Sequence, residues 1–128
     1  MKLFVPGRIC LFGEHSDWAG GYRRINADIE KGHAIIAGTN QGVHLEAKPH
    51  PTKFIFRTSL PGEDHQQLFE VGMDRASLLD AARKGGFFSY AAGVAYQVMT
   101  NYRVRGLELD NYLTDLPVKK GLSSSAAV

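Results

Sequence analysis

Apolar residues sustain helical spacing in one stretch of this chain. Phe87, Ala91, Val94, Val98 and Tyr102, with Phe88, Ala95 and Met99 beside them, mark about four turns of a helix. The stripe reads as core rather than as a cofactor box. Most of what precedes it alternates with period two or is broken by turn formers, so the chain must build a sheet and lay a helix on it. Arg8-Ile9-Cys10-Leu11-Phe12 reads as a buried strand running into a loop over residues 13–21. Residues 33–37 and 43–47 read as two strands, with Asn40-Gln41-Gly42 as the turn between them. Residues 53–58 and 67–71 alternate as an antiparallel pair about the turn Pro61-Gly62-Glu63-Asp64. After the helix, residues 107–113 alternate again and Asp115-Leu116-Pro117 breaks the strand. Strands first, then helix, strand and a further helix indicate an α+β fold.

Length and charge narrow the class. At 128 residues, 44% hydrophobic and 22% charged, the chain can bury one core. A net charge of +2 is too small to argue for nucleic acid or a membrane as the main partner. Cys10 is the sole cysteine, which excludes an internal disulfide and fits a reducing cytoplasm; within an apolar strand it is expected to be an inert core thiol. Met1-Lys2-Leu3-Phe4-Val5 begins like a secretory signal, but Pro6-Gly7-Arg8 ends the apolar run. No apolar run approaches membrane-spanning length. His33, His44, His50 and His65 lack metal-ligand spacing and read as strand-face or loop histidines.

Two runs carry chemistry. In Pro6-Gly7-Arg8-Ile9-Cys10-Leu11-Phe12-Gly13-Glu14-His15-Ser16-Asp17, an arginine, a glutamate, a histidine and an aspartate fall within ten residues hinged by glycines. Such groups can converge on a small polyhydroxylated ligand: the guanidinium offers a fork of donors, the carboxylates accept from hydroxyls and the imidazole does either. Singly, each also reads as a surface charge or a loop cap. The second run, Gly121-Leu122-Ser123-Ser124-Ser125-Ala126-Ala127-Val128, has the composition of a phosphate loop opening a helix. Gly121 permits close approach, and successive N–H groups at a helix N-terminus favour anions. Alone, the serines read rather as a helix N-cap with small neighbours.

Together the runs resemble the GHMP kinases, the superfamily of galactokinase, homoserine kinase, mevalonate kinase and phosphomevalonate kinase. The first matches the galactokinase-type pattern P-G-R-x-x-L-x-G-E-H-x-D at all eight fixed positions, and the second matches G-L-S-S-S-A-A. The resemblance implies an ATP- and Mg2+-dependent kinase acting on a monosaccharide hydroxyl. It further implies an α+β N-terminal domain resembling the second domain of ribosomal protein S5. Residues 1–128 would form the N-terminal, substrate- and ATP-phosphate-binding part, truncated at the start of the phosphate-loop helix and without the C-terminal domain. By the same resemblance, Arg8 is catalytic, stabilising the transferring phosphoryl group. Glu14, His15, Asp17, Trp18 and Gly20 bind substrate, and Gly121, Leu122, Ser123, Ser124, Ser125 and Ala126 hold the ATP phosphates, with Ser125 on the metal.

Arg8 and Asp17 favour a sugar over a mevalonate-like alcohol, because mevalonate-kinase-like members usually carry lysine at the first position and lack the second. Ser16-Asp17-Trp18-Ala19-Gly20-Gly21 differs from the usual T-D-Y-N-G-G, and Tyr22-Arg23-Arg24-Ile25-Asn26-Ala27-Asp28-Ile29-Glu30-Lys31 is more charged than the apolar strand expected there. Lys119 and Lys120 stand where glycine and alanine are common. A mevalonate-kinase-like enzyme, a non-catalytic sugar sensor on the kinase fold, and a binding module remain as alternatives. The expected partners are a sugar and ATP, in the cytoplasm, with neither nucleic acid nor membrane. With its last helix cut at Val128, the chain alone is expected to be inactive and to self-associate.

Overall fold

The computed structural model of the chain describes residues 1–14, 19–59 and 65–116. Its elements follow the order β1 (Lys2–Phe12), α1 (Ala19–Tyr22), β2 (Ile35–Pro49), β3 (Lys53–Thr58), β4 (Gln67–Gly72), α2 (Arg75–Arg83), α3 (Phe88–Asn101) and β5 (Leu107–Thr114). The strands form one sheet in the order β1-β2-β5-β3-β4. β3 and β5 run parallel, and the other neighbours are antiparallel. This mixed, sheet-dominated arrangement is α+β, as expected.

β3, β4, α3 and β5 lie within a residue or two of their sequence-predicted bounds, because each shows a clean period. The turn at Pro61-Gly62-Glu63-Asp64 lies outside the described residues. The expected break at Asn40-Gln41-Gly42 is corrected: β2 is one strand of 15 residues that runs straight through it. β1 pairs with β2 on both sides, Pro6 opposite Gly42 and Arg8 opposite Gly38, so that Gly7 alone faces residues 39–41. The turn formers therefore make a bulge instead of a hairpin. Thr39 stabilises it locally, its hydroxyl donating to the Gln41 carbonyl at 2.6 Å.

A second correction concerns β1. It begins at Lys2, earlier than expected, and residues 8–12 are not buried: Leu11 is 53% exposed and Phe12 73%. Residues 35–38 of β2 pair with β1 and with no other strand, so this end of the pair is a two-stranded ribbon extending past the rest of the sheet. Ile9, Ile35 and Ile36 are exposed on it. Cys10 is accordingly only half-buried, and its thiol donates to the Phe12 carbonyl at 3.3 Å. Pro6 is tolerated because β1 is an edge strand, where a missing N–H costs no ladder bond.

One sheet face is apolar. Phe54 and Phe56 of β3 join Met73, Leu78 of α2 and Ala95 of α3 in a core that Leu107 and Leu109 of β5 complete. Phe88 stacks on Phe69 at 5.0 Å between ring centroids and meets Phe56 edge-on. Leu107 and Leu109 also pack against a second cluster, Val43, Leu45, Ala47 and Leu116. Only part of the predicted helix stripe is core: Phe88, Ala91, Ala95 and Met99 pack inward, while Val94 is 63% exposed. α2 was not expected. Asp74 caps it by accepting from the Ser77 N–H at 3.0 Å. No helix among the described residues is long and apolar enough to cross a membrane.

The opposite face is polar, with ion pairs Lys53–Glu70, Arg57–Glu108 and Glu46–Lys48 beside a row of Phe4, His44 and Tyr112 rings. Between the strands, the Asn111 side chain is fully buried. Its carboxamide oxygen accepts from the hydroxyls of Thr58 at 2.9 Å and Thr114 at 2.8 Å, and its NH2 donates to the carbonyls of Leu113 at 3.0 Å and His44 at 3.2 Å. One side chain thus ties β2, β3 and β5 together. Asn111→Ala would strand buried partners and should destabilise the fold by about 1–3 kcal/mol in urea unfolding.

Arg57 donates a hydrogen bond to Glu108, holding its carboxyl below the ordinary value of 4.5; Lys53 does the same for Glu70, and the Ser77 amide lowers Asp74. Depressed carboxylates contribute stability above their unfolded values and lose it as pH falls through the folded ones. The melting temperature should therefore hold between about pH 7 and pH 5 and drop below about pH 4.5. Glu108→Gln should make that drop shallower.

Candidate functional site

β1 delivers the first polar run to the edge of the sheet. Arg8 lies just past the bulge, opposite Gly38, with its side chain exposed. The strand ends at Phe12, and Gly13 turns the chain with φ +85°, a conformation side chains resist. A Cβ there would overlap the carbonyl oxygen of His33 and lie 2.9 Å from the Ala34 Cα. Gly13 is thus required twice, for its dihedral and for the close approach of the segment leading into β2. Glu14 follows, exposed. His15, Asp17 and Trp18 lie outside the described residues. Gly20 falls in the short α1, open on the side where a Cβ would point. Residues 22–31, charged where an apolar strand was expected, close α1 at Tyr22 and continue as mostly exposed turns and coil, with the Ile25 and Asn26 amides donating to the Tyr22 carbonyl.

The second run, Gly121, Leu122, Ser123, Ser124, Ser125 and Ala126, also lies outside the described residues, as do Lys119 and Lys120. Its approach does not. β5 ends at Thr114, paired with Val43 of β2. The next residue, Asp115, grips Gly42 twice: its N–H donates to the Gly42 carbonyl at 3.2 Å, and its Oδ1 accepts from the Gly42 N–H at 2.6 Å. Leu116 is then buried against Val43. Gly42 has Pro6 as its partner on the other side, and a Cβ on it would overlap the Val5 carbonyl oxygen. The start of the first run and the approach to the second therefore flank one peptide of β2. With neighbouring strands about 4.8 Å apart, the Pro6 and Asp115 backbones are about 10 Å from each other.

Neither Gly42 nor Asp115 stood out in the sequence as a site residue. They are 73 positions apart, and no spacing links them. Other surfaces offer less. A hollow of about 630 Å³ along α3, lined by Tyr90, Gly93, Val94, Gln97 and Tyr102 among others, has no charged side chain. Among the described residues no three His, Cys, Asp or Glu side chains cluster to hold a metal.

No family model matches the chain. It is similar to a galactokinase of Exiguobacterium sibiricum, with 29% identity over 132 residues. That similarity covers 99% of this chain and 29% of the relative, so the chain spans under a third of that protein's length.

Gly13→Ala would force both a strained dihedral and a backbone overlap. Strain of this kind costs about 1–3 kcal/mol, and the urea midpoint should fall accordingly. An unchanged midpoint would show that the turn does not depend on glycine.

Proposed function

We propose that this chain is the N-terminal part of an ATP- and Mg2+-dependent kinase of the GHMP superfamily that phosphorylates a monosaccharide hydroxyl. The observation that supports it best is that the start of the first run, at Pro6, and Asp115, six residues ahead of the second run in sequence, flank Gly42, since phosphoryl transfer requires a hydroxyl and a γ-phosphate held in line. The galactokinase similarity over nearly the whole chain agrees with it.

In this reading Glu14, His15 and Asp17 bind ring hydroxyls, with Trp18 walling the pocket and Gly20 leaving room for the sugar. Arg8 sits beside the reacting hydroxyl and neutralises charge that grows on the transferring group. Gly121, Leu122, Ser123, Ser124 and Ala126 cradle the phosphates through backbone N–H and hydroxyl donors. The serine hydroxyls suit Mg2+, which takes oxygen ligands and shares them with phosphates; Ser125 is the residue assigned to it. When bound, the ion neutralises charge between the phosphates. Turnover draws on further residues of a longer protein, and the exposed ribbon of β1 and β2 gives the chain alone an apolar surface through which to self-associate.

ADP formation by the full-length protein, screened against a panel of monosaccharides and mevalonate, tests the reading. Activity with a sugar is expected; activity with mevalonate alone, or with nothing, would overturn it. Arg8→Lys keeps the charge but loses the planar fork. It should leave sugar affinity near normal while turnover falls at least tenfold, as expected for an interaction made mainly in the transition state. An unchanged kcat would remove Arg8 from the chemistry.

A further inference from the structure

We propose that the groove along the outer side of α3 is a docking site for a partner protein, which enters it as an amphipathic helix with an acidic polar face. The proposal is independent of the kinase reading above. A helix that is apolar all round belongs in a protein interior. α3 has no charged residue in its 14 positions, and Phe88, Ala91, Ala95 and Met99 pack on the sheet, yet its other side is exposed. Tyr90 is 79% exposed there, Val94 63% and Tyr102 68%. With Gly93 and Gln97 these three line the hollow of about 630 Å³, on a helix about 21 Å long. At Val94 and Val98 the hollow adjoins an apolar cavity of about 60 Å³ that reaches Phe54, Phe56 and Leu109, a socket for one apolar side chain. Together with Phe87, 41% exposed, the two tyrosine rings offer roughly 400 Å² to a partner. Each side of a specific interface covers about 800 Å², so the rings alone supply about half of one.

Charge identifies the chemistry of the occupant. Residues 75–105, the helical layer and the turn that follows it, hold five cations, Arg75, Arg83, Lys84, Arg103 and Arg105, against one anion, Asp80. Lys84 already engages Asp80 at 2.6 Å. This layer is therefore net +4 in a chain whose total is +2. The four arginines are exposed, and none forms an ion pair among the described residues. Arg103 and Arg105 follow Tyr102 at one end of the groove. Arg75 and Arg83, about 12 Å apart along α2, line a second hollow of about 390 Å³ with Leu79, one turn from the Ala82 that walls the first. An uncharged floor bordered by unpaired guanidinium groups matches a helix with apolar anchors at i, i+4 and i+7 and carboxylates on its flanks. A second copy of this chain would bring a like-charged layer to the same face, and a bilayer is too flat to fill a groove between helices.

The full-length protein is titrated against a fluorescein-labelled synthetic helix of about four turns, leucine on one side and glutamate on the other, with fluorescence anisotropy as the readout. Micromolar binding is expected in about 0.15 M salt. The analogue with lysine in place of glutamate should bind at least tenfold more weakly. Val94→Glu, which puts a carboxylate on the floor, and the double variant Arg75→Glu with Arg83→Glu should each lose at least tenfold in affinity for the glutamate peptide. Val94→Leu should bind like the wild type. All three positions are exposed, so thermal melts should coincide, and if Val94→Glu melts low the arginine pair alone decides. No binding by the wild type would overturn the proposal, as would equal binding of the two peptides, which marks apolar adhesion without charge selection. So would unchanged affinity in the arginine variant. Tighter binding of phosphatidylserine vesicles or of a single-stranded oligonucleotide, or a dimer in sedimentation that Val94→Glu abolishes, would assign the face to another partner and overturn it equally.

Discussion

The tightest constraint in the molecule is the closeness of approach at Gly42. β1 crowds its Cα from one side, and Asp115 binds its amide and carbonyl from the other. Everything that distinguishes this end of the sheet follows from that contact. β2 cannot turn back at Asn40-Gln41-Gly42 because both polar groups of the last residue are committed to Asp115. The extra residues opposite Gly7 are absorbed as a bulge, and the bulge resets the register in which Arg8 is presented. The buried Asn111 network, a few residues back along β5, holds β2 and β5 from within and adds β3. Backbone contact and side-chain network together leave this region little freedom.

The two faces of the sheet divide the work differently. Phenylalanines from β3, β4 and α3 interlock on the covered face, where dispersion and water exclusion act over the whole contact. The open face relies on cross-strand ion pairs that are partly solvated and therefore individually weak. Their alternation along each strand keeps the register of β3 and β5 from slipping by one residue, which would expose Phe54 and Phe56 and bury Arg57.

How much was legible in the sequence varied with the range of the forces involved. Residues 53–58, 67–71 and 107–113 alternate over most of their length, and the helix beginning near Phe87 shows its spacing, so local pattern located four elements. The helix over Arg75–Arg83 escaped because it spans only 9 residues and buries one side chain fully, Leu78; the signal was Asp74 ahead of a run of helix formers. Ile9-Cys10-Leu11-Phe12 looked buried because composition cannot tell a core strand from the edge of a ribbon. Asn40-Gln41-Gly42 looked like a turn because glycine's other use, close approach to a neighbouring backbone, leaves no mark in local sequence. Of the candidate site, Arg8, Glu14 and Gly20 fall among the described residues, on the strand, turn and short helix reported above. Asp115 became visible only through a contact between distant parts of the chain.

The position of β5 also has a consequence for how the fold comes into being. β1 with β2, and β3 with β4, are each pairs of neighbours in sequence, able to form as soon as they leave the ribosome. β5 wedges between them and is the last of the described strands to be made. Until it arrives, β2 and β3 each present an open edge, and the chain consists of two ribbons with no shared core. Leu107 and Leu109, which pack against both clusters, convert them into one cooperative body in a single late step. Insertion of this kind depends on contacts far apart in sequence and is intrinsically slow. The nascent protein is therefore exposed to mispairing and aggregation for the whole interval in which α2 and α3 are being synthesised.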